Sequence, residues 1–195
     1  MEMPQPATKD RIAEAADQLF YERGFEATSF ADIAAAVGIS RGNFYYHFKT
    51  KDEILEAVIA RRLASTRTML NTWQAEGAGP EQRIICFIRI LIANQAKITL
   101  YGCPVGTLVA ELGKLNHAAQ DQANAVFTLF RTWLCCQFEE LGCGTESDAL
   151  AMHLLARSQG AATLAQAFGD VDFINREVAL MQDWLRGQLP QDYPR

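Results

Sequence analysis

The chain has 195 residues, 49 % of them apolar, and its 18 Lys and Arg against 23 Asp and Glu give a formal net charge of −5. Its longest apolar stretch is interrupted by Arg89 and is too short to span a bilayer, and its five cysteines show neither a disulfide framework nor metal-ligand spacing. We therefore expect a protein of the reducing cytoplasm with no membrane association, metal or cofactor.

Proline, glycine and capping residues divide the chain into a series of helices, and no segment has the alternation of a strand. Thr8 is placed to cap a first helix that ends at Gly24. The apolar stripe of this helix comprises Ile12, Ala15, Ala16, Leu19 and Phe20.

The second and third predicted helices lie in the most informative segment, TSFADIAAAVGISRGNFYYHFKTK over residues 28–51. Ser29 and Ser40 are placed to cap the two helices, and Gly38 can adopt the positive φ with which many helices end. The inward positions have the spacing of a buried stripe in each helix and are Phe30, Ile33, Ala34, Val37, Phe44 and Phe48. This pattern predicts two short helices joined by a tight turn.

The outward face of the third helix is unusual for a soluble helix, since it carries Gly42, Asn43, Tyr46 and Lys49, flanked by Tyr45 and His47. These side chains can donate to phosphates or reach base edges, and no acidic residue lies between Arg41 and Lys51. The pattern predicts the recognition helix of a helix-turn-helix, the alternative being a helical hairpin that binds nothing. Because the chain is acidic overall, DNA binding must depend on a local basic patch that a dimer doubles.

Residues 11–55 resemble the N-terminal domain of TetR-family repressors, in the pieces LFYERGFEATS, DIAAAVGIS, FYYHFKTK and KDEIL. The resemblance implies an all-α protein of about nine helices. A three-helix helix-turn-helix DNA-binding domain would occupy residues 1–50, and a helical-bundle ligand-binding and dimerisation domain residues 51–195. The implied DNA-binding residues are Ser29, Ser40, Arg41, Gly42, Asn43, Tyr45, Tyr46, His47 and Lys51. Of these, the resemblance directs His47 and Lys51 to phosphates, and Arg41, Asn43, Tyr45 and Tyr46 to bases or sugars.

Six further helices are predicted after the recognition helix. Thr50 and Glu53 form a capping box that starts the fourth, which runs to about Ala75, and Gly79 with Pro80 starts the fifth. The remaining expectations are a break at Tyr101–Pro104 before a sixth helix through Leu112, a seventh from about His117 to Leu141, an eighth from Thr145 to about Phe168, and a ninth from Asp170 to about Gln188.

The last two predicted helices are candidates for a dimer interface. The eighth carries the small residues Gly160, Ala161 and Ala162, which permit close helix approach. The ninth is apolar over more than one stripe, at Phe173, Ile174, Val178, Leu180, Met181, Trp184 and Leu185. These features predict a four-helix bundle between two subunits, as the resemblance also implies, the alternative being that both helices are core.

The segment YGCPVGTLVAEL over residues 101–112 places Cys103 just before a helix that begins at Pro104. Exposed N–H groups and the helix dipole stabilise a thiolate there, so Cys103 is a candidate sensor of electrophiles or oxidants. The Gly-Cys pair resembles the NemR-like branch of the same family, and the alternative is a structural cysteine. Cys135 and Cys136 are expected in the core, Cys86 on a core-like face and Cys143 in a turn.

Aromatic residues and methionines are more numerous in the body of the chain than a plain bundle needs. The candidates to line a ligand pocket beside Cys103 are Trp73, Phe87, Tyr101, Phe127, Phe130, Trp133 and Met152. At helical spacing such residues are also ordinary core. The default inducer is an apolar or aromatic small molecule, or an electrophile that reacts with the thiol.

These observations favour a homodimeric transcriptional repressor that binds double-stranded operator DNA and is released by a small molecule or by thiol modification. One alternative is a small helical thiol enzyme that uses Cys103 with His117 or His153, although no motif for it is present. Another is a helical interaction module without DNA affinity, which the negative charge supports. We expect a regulator and no enzyme.

Overall fold

The computed structural model describes residues 7–189, and every regular element in that range is helical. The helices are α1 (Thr8–Arg23), α2 (Phe30–Val37), α3 (Arg41–His47), α4 (Lys51–Glu76), α5 (Pro80–Ala93), α6 (Gln95–Tyr101), α7 (Pro104–Lys114), α8 (Gln120–Glu140), α9 (Ser147–Phe168) and α10 (Val171–Arg186), with a 3-10 turn at Gly144–Glu146. The prediction of an all-α fold is confirmed.

Several helix boundaries differ from the sequence prediction, among them the start of α8, which lies at Gln120 and not at about His117. The predicted fifth helix is divided into α5 and α6 at Asn94, whose side-chain amide donates back to the carbonyl of Ile90 at 2.9 Å. Thr8 lies inside α1, because the N-cap position is Ala7 and makes no side-chain bond. Thr145 lies in the 3-10 turn, and α9 starts only after Glu146. The prediction that Thr8 and Thr145 cap helices is therefore wrong.

Other predicted helix starts are confirmed. Pro80 is the first residue of α5, and the Asp170 carboxylate caps α10 by accepting from the N–H of Phe173 at 3.0 Å. At α4 the N–H of Glu53 donates to Thr50 Oγ1 at 3.1 Å. The Glu53 carboxylate accepts from the N–H of Lys49 at 2.7 Å and not from Thr50, so the two side chains cap α4 without forming a reciprocal box.

The chain divides into two compact units. The N-terminal unit contains the residues up to Ser65 together with Thr107–Ala125, and the C-terminal unit contains Thr66–Gly106 together with the residues from Val126 onward. Helices α4, α7 and α8 therefore each contribute residues to both units. The N-terminal unit includes the predicted helix-turn-helix and adds to it segments that are distant in sequence.

One apolar core holds the N-terminal unit together. Its large, fully buried side chains come from α1, α2, α3, α4 and α7, and from the residue that follows α3. They are Ile12, Ile33, Phe44, Phe48, Ile54, Leu55 and Leu112. Burying a side chain of this size contributes about 1.5–3 kcal/mol each. Because Leu112 belongs to this core, α7 is part of the structure that supports α2 and α3.

The turn between α1 and α2, residues 24–29, is fixed by a side chain from α7. The Glu111 carboxylate accepts hydrogen bonds from the N–H groups of Phe25 and Glu26, both at 2.9 Å. Gly24 ends α1 at a φ of 95°, and a Cβ at this position would lie only 3.0 Å from Glu111 Oε1. The glycine is thus required both by its backbone conformation and by the close approach of the carboxylate.

The C-terminal unit is a helical bundle in which α10 packs on α5 and α9, and α6 packs on α9. Its buried side chains include Ile84, Phe87, Ile88, Leu134, Phe138, Leu154, Ile174, Met181 and Leu185. Ala161 and Ala162 are 3 % and 0 % exposed, so these two residues of the small-residue run face the core and not a partner. Within the described range no single helix is long and apolar enough to cross a bilayer, although the pair Pro80–Ala93 and Gln95–Lys114, bent by 59°, has the length and composition when taken together.

Replacing Glu111 by Gln should lower the free energy of unfolding by about 1–2 kcal/mol, because two charge-assisted bonds to backbone N–H groups are weakened. Glu56 is an exposed carboxylate on α4, and Glu56→Gln is the matched control, with an expected change within about 0.5 kcal/mol. Urea unfolding followed by circular dichroism measures both. Equal stabilities of the two variants would mean that the Glu111 bonds contribute nothing.

Candidate functional site

Two serines and a glycine determine the geometry of the helix-turn-helix. Ser29 Oγ accepts from the N–H of Asp32 at 3.2 Å while the Asp32 carboxylate accepts from the N–H of Ser29 at 2.9 Å, which is a reciprocal capping box. Gly38 ends α2 in the left-handed region at a φ of 72°, and Ser40 Oγ then accepts from the N–H of Asn43 at 3.4 Å. The hydrogen bonds from the hydroxyl and N–H of Ser29 hold the pKa of Asp32 below its ordinary value.

Helix α3 buries one face and exposes the other. Phe44, and Phe48 just after the helix, are 0 % and 1 % exposed, whereas Tyr46 is 79 % exposed and Tyr45 44 %. The remaining exposed positions of the helix are Arg41, Gly42 and Asn43. A Cβ at Gly42 would meet nothing within 4 Å, so another surface can approach the backbone there. His47 is half-buried, and its ring lies edge-on to that of Tyr46 at 5.2 Å.

A small cleft of about 140 Å³ opens at the surface between α2 and α3. It is lined by Phe30, Ala31, Ala34, Arg41, Phe44 and Tyr45. The rings of Phe30 and Tyr45 are 5.5 Å apart, so aromatic packing holds this tyrosine in place. The cleft therefore combines apolar walls with one guanidinium group and one phenol.

The lysines near α3 are held by neighbouring groups. Lys51 Nζ donates to the carbonyl of Glu26 at 3.0 Å and lies 4.5 Å from the centre of the Phe25 ring. Lys49 Nζ donates to the carbonyl of Tyr45. Lys9, whose Nζ is 5.2 Å from the centre of the Phe48 ring, adds a cation that the sequence pattern did not indicate.

In the C-terminal unit, four of the residues predicted to line a pocket form two ring pairs. The rings of Trp73 and Trp133 are 5.7 Å apart, and those of Phe87 and Phe130 are 5.5 Å apart. Phe130 and Trp133 lie on successive turns of α8, which brings the two pairs next to each other. We call these four residues the aromatic cluster.

The other three predicted pocket residues, Met152, Tyr101 and Phe127, are not part of the aromatic cluster. Met152 is 42 % exposed on α9, and its role as a residue that lines a ligand pocket stays a prediction. Tyr101, at the end of α6, and Phe127, in α8, are half-buried.

A polar cluster that the sequence reasoning missed adjoins the aromatic cluster. Arg83 Nη1 donates to Glu140 at 2.8 Å and to Gln137 Oε1 at 3.3 Å. Gln137, only 1 % exposed, donates in turn to Gln74 Oε1 at 3.1 Å. The available sequence signal was a glutamine at an inward position of the apolar helix α8.

The cysteines differ in their surroundings, and none of the five forms a disulfide bond. Cys103 is half-buried, and its Sγ accepts from the N–H of Gly106 at 3.5 Å. Burial raises the pKa of the Cys143 thiol, and burial reinforced by the charge of Glu139 raises that of Cys135. Cys136 is exposed, because it lies on the outward side of α8, so its prediction as a core residue is wrong.

Comparisons of sequence match a segment of the N-terminal unit to a known family and most of the chain to known regulators. Residues 12–58 match the family described as bacterial regulatory proteins, tetR family. An uncharacterized HTH-type transcriptional regulator in the lacX 3' region of Lactococcus lactis subsp. lactis is 27 % identical over 179 residues, which cover 90 % of this chain and 91 % of the relative. The HTH-type transcriptional repressor DhaR of Mycobacterium sp. (strain GP1) is 25 % identical over 82 % of each chain.

Solved structures extend the similarity to nearly the whole chain. A TetR transcriptional regulator from Legionella pneumophila has a TM-score of 0.84 and 25 % identity, covering 96 % of this chain and all of that one. The reduced form of E. coli NemR has a TM-score of 0.80 over 90 % of this chain and 95 % of its own, but at 19 % identity it shows a common fold alone.

The resemblance read from residues 11–55 is thus confirmed by an independent family match, by relatives that span most of the chain and by shared architecture. These relatives are transcriptional regulators and not enzymes. The chain is a DNA-binding transcriptional regulator of the TetR family.

Proposed function

We propose that the protein is a homodimeric cytoplasmic repressor that binds double-stranded operator DNA and is released by a small molecule or by modification of a thiol. The observation that carries the proposal is the exposed face of α3, rich in amide, phenol and guanidinium groups, on a capped helix-turn-helix. The name of the relative DhaR as a repressor supports the sign of regulation. We assign DNA binding to residues 1–50 and ligand binding and dimerisation to residues 51–195.

The proposed DNA contacts follow from exposure and chemistry. Arg41, Asn43, Tyr45 and Tyr46 are exposed on α3 and carry groups that reach base edges and sugars. The remaining proposed contacts are made by Ser29, Ser40, Gly42, His47 and Lys51. To bind a phosphate, Lys51 exchanges the carbonyl of Glu26 for a phosphate oxygen, which is the stronger acceptor because it is charged.

Lys51→Ala and Asn43→Ala should weaken DNA binding in different ways. Loss of the Lys51 phosphate contact should reduce affinity similarly for all DNA sequences, and the slope of log affinity against log salt concentration should become shallower by about 1. Loss of the Asn43 base contact should instead change the preference among operator variants by about 1–3 kcal/mol. Fluorescence anisotropy at several salt concentrations, with DNA from the promoter of the chain's own operon, measures both.

Lys97→Ala removes an exposed lysine of α6 and is the charge-matched control, which should bind the operator as the unaltered protein does. Unchanged affinity, salt slope and sequence preference in both the Lys51 and the Asn43 variants would refute the assignment of α3 as the recognition helix.

The proposed dimer surface is a stripe of exposed residues along α9. It comprises Met152, Ala156, Gly160, Leu164 and Phe168, four residues apart, and we call it the α9 stripe. Phe168 is 78 % exposed and Leu164 44 %, and Leu180 on α10 is 52 % exposed. Large apolar side chains in one exposed row indicate an interface, and Ala156 and Gly160 between them permit close helix approach. Two recognition helices on a two-fold operator require such a dimer.

Leu164→Glu should convert the dimer into a folded monomer, because it places a charge in an apolar interface. The mass measured by light scattering should fall to the 21.7 kDa of one chain, and operator binding should fall with it. Leu100→Glu is the control, since Leu100 is 66 % exposed on α6, outside the stripe, and its variant should stay dimeric. A dimeric Leu164→Glu protein that still binds a palindromic site would exclude this surface.

The signal from ligand to DNA is proposed to pass through α4 and α7. Helix α4 starts directly after the recognition helix, and α7 begins after Cys103 and carries Glu111, which binds the α1–α2 turn. Half-sites lie about 34–36 Å apart, so a shift of a few ångströms between recognition helices costs contacts in one half-site. The energy for the shift is the difference in affinity of the inducer for the two states.

Thiol modification is proposed to act at Cys103. Raised pKa values reduce the thiolate fraction of Cys135 and Cys143 at neutral pH, which leaves exposed Cys136 as the main competitor. In the proposed mechanism the Cys103 thiol first loses its proton to solvent, and the thiolate adds to the activated carbon–carbon double bond of an electrophile. The π bond of the electrophile breaks, the resulting enolate takes a proton from solvent, and the adduct occupies the space beside Gly106.

Limited alkylation with N-ethylmaleimide near pH 7, mapped by mass spectrometry, should label Cys103 before Cys135 and Cys143. After treatment, Cys103→Ser should keep its operator affinity whereas Cys136→Ser, the control, should lose it as the unaltered protein does. Loss of DNA by treated Cys103→Ser would show that the release does not depend on this thiol.

The two alternatives lack comparable support. A thiol enzyme needs a histidine base, but His117 Nδ1 accepts from the N–H of Ala119 at 3.1 Å and its Nε2 lies 3.4 Å from Asp52 Oδ1. The His153 ring packs at 4.8 Å on that of Trp184. An interaction module without DNA affinity does not account for the match of residues 12–58 to a family of bacterial regulatory proteins.

A further inference from the structure

Two side-chain N–H groups of the C-terminal unit, Arg83 Nε and Trp133 Nε1, are buried and have no hydrogen-bond partner in the described part of the chain. The indole and the guanidinium nitrogens are donors only. Buried donors in folded proteins are almost always paired, because an unpaired one keeps its full cost of desolvation. What both groups need is therefore an acceptor.

The two donors belong to one neighbourhood. Gln137 lies one turn after Trp133, donates to its carbonyl at 3.4 Å and accepts from Arg83 at 3.3 Å. The stem of Arg83 packs on the end of α4, since a Cβ at Gly77 would lie 2.4 Å from Arg83 Cγ and 2.9 Å from the carbonyl of Trp73. Trp73, in turn, packs on Trp133. The unpaired donors thus adjoin the aromatic cluster.

The charge of this neighbourhood is already balanced. Arg83 forms an ion pair with Glu140 at 2.8 Å, and the Arg83 side chain is only 17 % exposed. An anionic ligand would meet the Glu140 carboxylate and gain little from a guanidinium that is already paired. An uncharged oxygen is therefore the best acceptor for the two donors. A flat apolar ring system fits best against the neighbouring aromatic side chains.

We propose that the effector of this regulator is an uncharged aromatic molecule whose carbonyl or hydroxyl oxygen accepts hydrogen bonds from Trp133 Nε1 and Arg83 Nε, with its ring against the aromatic cluster. The inference rests on the proposed function in treating the bound molecule as the effector. The site itself depends only on the contacts of α4, α5 and α8.

Three probes of similar size isolate the contribution of the acceptor. They are 2-acetylnaphthalene, which has a ketone oxygen, 2-isopropenylnaphthalene, which replaces that oxygen by a methylene group, and 2-naphthoate, which is charged. Equilibrium dialysis against the full-length protein gives the dissociation constants. The ketone should bind about tenfold or more tightly than the alkene, because only the ketone pairs the buried donors, and more tightly than the carboxylate.

Variants of Trp133 and Arg83 test whether the preference for the ketone over the alkene arises from these two donors. Trp133→Phe keeps an aromatic ring without the N–H, and Arg83→Lys keeps the charge beside Glu140 without Nε. Each should reduce the ketone-to-alkene preference several-fold. Trp184→Phe, which removes an indole of α10 that packs on His153 and Phe138, should leave the preference unchanged. The ratio is measured within each folded variant, so a general loss of stability does not imitate the effect.

A ketone that binds no better than the alkene, or not at all, would overturn the inference and indicate that water satisfies the two donors. So would a preference that survives both substitutions. Operator binding, measured without any probe on the same preparations, tests the proposed function separately. If the ketone preference is absent while the operator is still bound, only the effector class is wrong.

Discussion

One carboxylate, that of Glu111, completes the turn on which the helix-turn-helix depends. Phe25 and Glu26 follow the end of α1 and precede α2, so their N–H groups have no partner within a helix. The acceptor comes from a residue 86 positions away in the chain. The helix pair that presents the recognition face is consequently supported by α7 as well as by α1, through this bond and through the buried Leu112.

The α1–α2 turn is also restrained by Lys51, which is one of the proposed DNA contacts. The carbonyl of Glu26 accepts from Lys51, and the ring of Phe25 contacts both the Lys51 ammonium and the His117 ring, at 4.5 Å and 5.3 Å. A phosphate that draws Lys51 away removes one of these restraints, while Glu111 retains the two N–H groups. If Lys51 binds a phosphate as we propose, a displacement of α7 that withdraws Glu111 would affect the same turn that DNA binding alters, and the two events would be thermodynamically linked.

What the sequence predicted well is local. Ser29, Gly38 and Ser40 act within four residues of their own positions, so helix caps and the turn between α2 and α3 follow from residue type. The bonds from Glu111 to the α1–α2 turn and from Arg83 to Gln137 join residues 86 and 54 positions apart, and no periodicity indicates such a partner. The orientation of α9 shows the same limit. Gly160 is exposed whereas Ala161 and Ala162 are buried, because a run of small residues does not specify which of its members faces the core.

Gly106 connects the thiol to α9 within the C-terminal unit. A Cβ at Gly106 would lie 2.6 Å from Gln159 Oε1 and 3.6 Å from Cys103 Cβ, so the amide of Gln159 occupies the space beside the cysteine that only a glycine leaves open. The adduct that we propose on Cys103 would need part of this space. Gln159 is followed in α9 by Gly160, a member of the α9 stripe, and preceded by Ser158, which is 3 % exposed and bonds the carbonyl of Leu155 at 2.7 Å. Rotation of the Gln159 side chain can take up a small displacement of its amide. Only a larger adduct would press on α9 itself, next to the surface through which we propose that the subunits pair.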